Sequence, residues 1–296
     1  MALRELWLLL RDTANAWIDD RAPSMGAALA FYALFSVAPL LIIAIAIAGV
    51  FFGEEAARGE IVAQIGGLIG QEGAASIQSI IESARNPASG TVAMTVGILT
   101  LIITASTVFA ELKDSLDYIW RVNNPDSSSL RNFFQTRVRA VVMVIIIGVL
   151  LLLLLVASTA LTLIADRAAM YQNIAYLIDT LNFIIFVGMT AMLFAIIYKI
   201  LPDIKIAWKD VWMGAAITAV LFSLGKSLIA LYLTKSHIGS AFGTAGSVII
   251  GLLWVYYSAQ IFFLGAEFTK LYAQRYGSQK PMTEAPHSAK TASSDA

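Results

Sequence analysis

The sequence predicts an all-α, polytopic membrane bundle of six transmembrane helices, with short amphipathic helices on its external side. Three observations predict it. Six windows, 27–52, 91–110, 138–165, 177–198, 211–233 and 246–266, approach or exceed the ~20 apolar residues a helix needs to cross the hydrocarbon of a bilayer. The composition agrees, with 58% hydrophobic and 14% charged residues, a formal net charge of zero and a mean hydropathy of +0.76. Finally, Lys and Arg alternate sharply from one connection to the next: fifteen fall in the lead, 111–139, 199–210 and the tail, against four in the remaining connections. Positive charge is retained on the cytoplasmic side. Both termini are therefore expected in the cytoplasm, with an even number of spans.

Three parts follow along the chain: a cytoplasmic amphipathic lead-in at 1–26, a six-span membrane domain at 27–270 and a disordered cytoplasmic tail at 271–296. In the lead-in, Leu3, Leu6, Trp7, Leu10 and Ala14 recur at helical spacing among Arg4, Glu5, Arg11 and Asp12, a pattern unlike a cleaved signal peptide. The first span contains Pro39, which lacks a backbone donor and is the candidate helix bend. Beyond it, the external segment 53–90 repeats isoleucines at helical spacing between glycines, too briefly to cross, and reads as two short amphipathic helices.

The second span runs past Glu111 into Lys113, Asp117, Tyr118 and Trp120, and Asn123-Asn124-Pro125 breaks the helix. Arg131, Arg137 and Arg139 precede the third span, which is aliphatic from Val141 to Val156 except for Gly148. A helix apolar all round suits a position toward lipid. Asp179 and Asn182 open the fourth span and Pro202 closes it; Ser223, Gly225, Lys226 and Ser227 interrupt the fifth. The glycine-rich stretch 239–246 lacks the Gly-Lys-Ser/Thr ending of a phosphate loop. Trp254, Tyr256, Tyr257, Ser258 and Gln260 mark the sixth span, which ends at Gly265-Ala266-Glu267.

Several chemistries are excluded or weakened. The chain has no cysteine and its two histidines, His237 and His287, are 50 positions apart, so neither a disulfide nor a histidine-rich metal centre is available. No cofactor or metal is expected. There is no HExxH motif, and no nucleophile can be matched to a base, so an enzyme is not expected.

The segments Ala27-Ala28-Leu29-Ala30-Phe31-Tyr32 through Pro39-Leu40, Leu116-Asp117-Tyr118-Ile119-Trp120, Leu201-Pro202 with Trp208 and Gly214-Ala215, and Trp254-Val255-Tyr256-Tyr257-Ser258 through Leu264-Gly265-Ala266-Glu267 occur in an ordered set covering about residues 20–275. This set resembles the YihY/BrkB family of bacterial inner-membrane proteins. The family commonly has Asn in place of Asp117 and a Tyr-Gly pair in place of Phe242-Gly243. The resemblance implies an inner-membrane location and a link to serum resistance or to export of envelope lipid or solute. The family also carried a ribonuclease label, against which this chain argues: a nuclease needs water-facing carboxylates and a basic groove, whereas the acidic residues here are distributed among termini, connections and span ends and the cytoplasmic arginines are explained by topology.

Ionisable and amide side chains at membrane depth are costly and mark candidate pathways. Those candidates are Glu111, Asp179, Asn182, Lys226, Gln260 and Glu267, expected to line an inward-opening cleft. The expected function is transport, export or flipping of a small solute or envelope lipid, and the alternative is a non-transporting protein that organises lipids or envelope partners. Membrane lipids are the expected partners, nucleic acid is not, and the aliphatic third span leaves homo-oligomerisation open.

Overall fold

The computed structural model describes residues 3–69, 78, 107–122, 172–236 and 246–279, with scattered positions between 138 and 156. Among these, every regular element is a helix: α1 (Leu3–Asp19), α2 (Ala22–Phe52), α3 (Glu54–Ile69), α4 (107–119), α5 (Gln172–Ile200), α6 (Trp208–Ser236) and α7 (Gly246–Arg275). Three stretches are long and apolar enough to cross a membrane, Phe183–Ile200, Trp208–Ile229 and Val248–Arg275. The second predicted span lies largely outside the described residues, as do the connection 123–137, most of the external segment beyond α3, the turn 237–245 and the tail from 280.

α7 is the central element, packed against α6, α2 and α1, while α5 packs on α6 and reaches α7 through Phe194 and Tyr198. Contacts fix the directions. Gly214 faces Thr269, Thr218 faces Gly265 and Gly225 faces Tyr257, so residue numbers rise on α6 as they fall on α7. Phe194 likewise meets Phe222, and Tyr198 meets Thr218. Gly26 on α2 lies against Gln260, whereas Asp20 just before α2 meets Lys270. Thus α7 is antiparallel to both α6 and α2, and α5 is antiparallel to α6.

Small residues make these crossings close, as membrane helices require when lipid supplies no hydrophobic drive between them. α6 and α7 carry the same pattern, Gly214-x3-Thr218 and Gly265-x3-Thr269. Each threonine donates to the carbonyl of the glycine on its own helix, 2.7 Å away in both cases. Each glycine receives the threonine of the other helix. A methyl added at Gly265 would overlap Thr218 Oγ1 and the Tyr198 hydroxyl. Around this crossing Phe194, Tyr198, Phe222, Trp254 and Phe262 form an aromatic cluster, with centroid separations of 5.7 Å for Phe194–Phe222, 4.9 Å for Tyr198–Phe262 and 6.1 Å for Phe222–Trp254.

The helix ends follow local chemistry. α2 starts just after Arg21, whose backbone is left-handed (φ 56°), with Pro23 in the first turn where a missing N–H costs nothing. It stays helical through Pro39 and ends at Gly53 (φ 82°), whose N–H donates to the Gly49 carbonyl at 2.9 Å. α4 ends in a Schellman arrangement in which Val122 N–H donates to Asp117 O and Arg121 N–H to Tyr118 O. That turn demands a left-handed residue, and Arg121 (φ 54°) supplies it in place of the usual glycine.

α3 folds back onto α2 and also touches α6 and α7. In the third predicted span, Val138, Val142, Ile145, Val149, Leu153 and Val156 form an exposed stripe at spacings of three and four, whereas Met143 and Leu150 are buried. One face of that segment therefore points away from the bundle and the other toward it.

Candidate functional site

The charged residues collect where the α2 and α6 N-termini meet the C-termini of α4, α5 and α7. Asp20, in the α1–α2 junction, is 2% exposed. Its Oδ1 accepts from Arg121 and its Oδ2 lies 3.4 Å from Lys270 Nζ. The same ammonium lies 3.2 Å from Oε2 of Glu267, which is completely buried. Two carboxylates therefore share one lysine, with an arginine at the outer edge. Among the described residues Glu267 Oε1 has no hydrogen-bond donor.

Seven residues earlier on α7, and so nearly on the same face, lies Gln260. Its Nε2 and Oε1 are both buried without a partner, and its amide presses on Gly26 of α2. At a rise of 1.5 Å per residue the two positions are about 10 Å apart along the axis. The α7 face toward α2 thus carries two unsatisfied polar side chains.

A second cluster ties α4 to the loop 201–207. Lys113 is buried, pairs with Asp117 one turn along and stands 2.8 Å from Asp203. Asp203 also accepts from Arg139, and its own N–H donates to Asp117 Oδ1 at 2.8 Å. Burial pushes Asp203 toward the neutral acid, but Lys113 and Arg139 outweigh it and hold the carboxyl below its ordinary 3.8. The converse holds for Lys113, where burial opposes the charge but Asp117 and Asp203 lift the ammonium above 10.5. At the outer rim Arg275 pairs with Asp12, and Asp210 accepts from the Ser278 N–H and hydroxyl, each at 2.7 Å.

Of the candidates named from sequence, four have described side chains, and these fall at three places. Gln260 and Glu267 share a face of α7. Glu111 is half-buried on α4, and no hydrogen bond or ion pair among the described residues joins it to them. Lys226 lies over the Phe186 ring of α5, 4.2 Å from its centroid, a cation–π contact in place of a carboxylate partner. Asp179 and Asn182 fall on the first third of α5, and their side chains are outside the described set.

Sequence reasoning passed over Asp20, Lys113, Asp203 and Lys270. The signal was present in the cations of the 111–139 connection and of the α7 terminus, which pair with acids of the lead and of the loop 201–207. It was also present in the motif positions Asp117 and Glu267, which converge on this end. Among the described residues no grouping of His, Asp and Glu is arranged to hold a metal ion.

A family model described as virulence factor BrkB matches residues 13–290, nearly the whole chain. The chain belongs to the BrkB family. Among curated relatives, a UPF0761 membrane protein of Ralstonia nicotianae is 24% identical over 252 residues, covering 84% of this chain and 55% of the relative. One from Pseudomonas aeruginosa is 26% identical over 261 residues, covering 86% and 60% respectively. A Yersinia pseudotuberculosis relative is 26% identical over 197 residues, or 64% of each chain. The chain spans little more than half the length of the first two. No solved structure matches it. Family membership and the apolar helices together make this a membrane protein with several spans.

Proposed function

We propose that this BrkB-family chain is a six-span protein of the bacterial inner membrane, with both termini in the cytoplasm, that moves a small solute or envelope lipid through an inward-opening cleft. The observation that carries the reading is the unsatisfied polar face of α7, where the amide of half-buried Gln260 and one oxygen of buried Glu267 leave three buried polar atoms unpartnered among the described residues. Buried polar groups are normally paired, and exceptions point to ligands, water or chemistry. In a membrane helix such groups face a pathway or a partner, because lipid offers them nothing.

The orientation rests on charge, since the lead, α4, the loop 201–207 and the α7 terminus meet at one end and carry most of the cations. Lys226→Leu and Glu111→Gln should impair transport while leaving insertion intact. The aliphatic stripe from Val138 to Val156 supports lipid contact and also suits the alternative, a lipid-organising protein without transport.

Purified protein in liposomes containing NBD-labelled phospholipid, tested by dithionite quenching, and the same liposomes given a panel of radiolabelled small solutes, decide between them. Movement above that of heat-inactivated protein, and reduced by Gln260→Leu, supports transport. Inactivity across both assays, with the protein folded, leaves the organising role.

A further inference from the structure

The two carboxylates around Lys270 are unequal. Asp20 has a cation on each oxygen, whereas Glu267 has one on Oε2 and none on Oε1. An ionised oxygen with no donor, at zero exposure, is the most expensive atom in the cluster. Two carboxylates gathered on one ammonium form a site able to hold one proton. The bare oxygen is where that proton has room to bond.

The groups facing the site come from each neighbouring element: Asp20 from the α1–α2 junction, Arg121 from the end of α4 through Asp20, and Lys270 from α7 itself. On α5 the Tyr198 hydroxyl is taken up by Phe262 O, to which it donates at 2.7 Å, and on α6 Asp210 is occupied by Ser278. Among the described residues no N–H or hydroxyl donor reaches Oε1, and the Asp20 carboxyl itself stands within hydrogen-bonding reach of Glu267. Arg121, 58% exposed at its side chain, links the pair to the aqueous phase at this end, and Gln260 continues the polar face inward.

We propose that Glu267 is a proton-exchange site and that the proton is the coupling ion of the transport proposed above. The coupling rests on that transport reading; the proton site does not. In the step, an O–H bond of a hydronium ion at the ionic end breaks as one forms at Glu267 Oε1, which releases water, neutralises the carboxylate and leaves Lys270 to Asp20. The reverse step breaks that bond and returns the proton to water, with no electron transfer.

Infrared difference spectroscopy of the full chain in liposomes, through a series of pH steps, tests the site. Wild type should show a protonated-carboxyl carbonyl band that grows as pH falls. The band should vanish in Glu267→Gln and persist in Asp12→Asn, whose partner is Arg275 at the rim. If Glu267→Gln fails to fold, wild type carrying carbon-13 in its glutamate carboxyls should show the band displaced. A band that stays in Glu267→Gln, that ignores the isotope, or that never appears while the helices remain intact would overturn the proton site. A second arm follows NBD-lipid and solute movement with an imposed pH gradient and after its collapse by a protonophore. Movement that ignores the gradient overturns the coupling. Absence of movement with the infrared band intact removes the transport reading and the coupling with it, and leaves the proton site standing.

Discussion

Gly265 and Gly214 are the residues on which the α6–α7 crossing depends, because each is the space into which the other helix's threonine fits. A side chain at either position must displace a threonine already bonded to its own backbone, and at Gly265 the Tyr198 hydroxyl as well. Gly265→Leu and Gly214→Leu should each destabilise the protein by about 1–3 kcal/mol, the usual cost of overpacking a close interface. Gly251, which meets no neighbour within 4 Å, is the control and should tolerate Ala with a change under about 1 kcal/mol. Thermal unfolding in detergent measures all three. The glycines were legible in the sequence as small residues near span ends, but their reciprocity was not. It appears only when two helices distant in sequence are set antiparallel in one register.

Elements are held together at the ionic end by pairs that cross from one connection to another. The Lys113–Asp203–Arg139 clasp joins α4, the 201–207 loop and the start of the third predicted span. Because Asp203 is held below 3.8 in the folded protein, its contribution is present above that value and fades as pH falls through the lowered one. Lys113, held above 10.5, contributes below that value and loses its contribution only as pH rises through the raised one. Asp203→Asn should therefore lower stability by about 1–3 kcal/mol through the whole neutral range, with the gap from wild type closing only below pH 3.8. Unfolding midpoints of both proteins against pH measure it. A gap that closes near neutrality would mean that Asp203 titrates there. From sequence, the helical elements α5, α6 and α7 were readable because long apolar runs identify themselves. Lys113 was read only as one of the cations that set the topology and Asp203 was not read at all, since one-dimensional charge counts record side and not pairing.

For the whole molecule, the convergence of the lead, the α4 terminus, the 201–207 loop and the α7 terminus is what a protein with alternate connections on opposite sides must show. Cytoplasmic reporters fused after Asn124, Ile206 and Gly277 should be active, and periplasmic reporters after Glu72 and Ser236. A periplasmic signal at Asn124 would reverse the orientation. The sequence reading treated six polar residues as one cleft; among the described side chains Lys226 turns to Phe186 on α5 and Gln260 to Gly26 on α2. Hydropathy identifies which residues are out of place in a membrane without saying which face of a helix they occupy, so the constellation could not be assembled before the register was known.

The reciprocal fit of α6 and α7 also restricts how the molecule can move. Sliding one helix past the other by a single turn would carry both threonines out of both glycine notches at once, so the pair behaves as one slab and takes α5 with it through the aromatic cluster. The α2 side has no such double notch. Its recorded close approach sets Gly26 against the unsatisfied Gln260, below a junction that turns through the left-handed Arg21. A conformational cycle in this protein would therefore open like a book along the α2–α7 spine, with Arg21 as the binding and Asp20–Lys270 as the stitch that has to come undone.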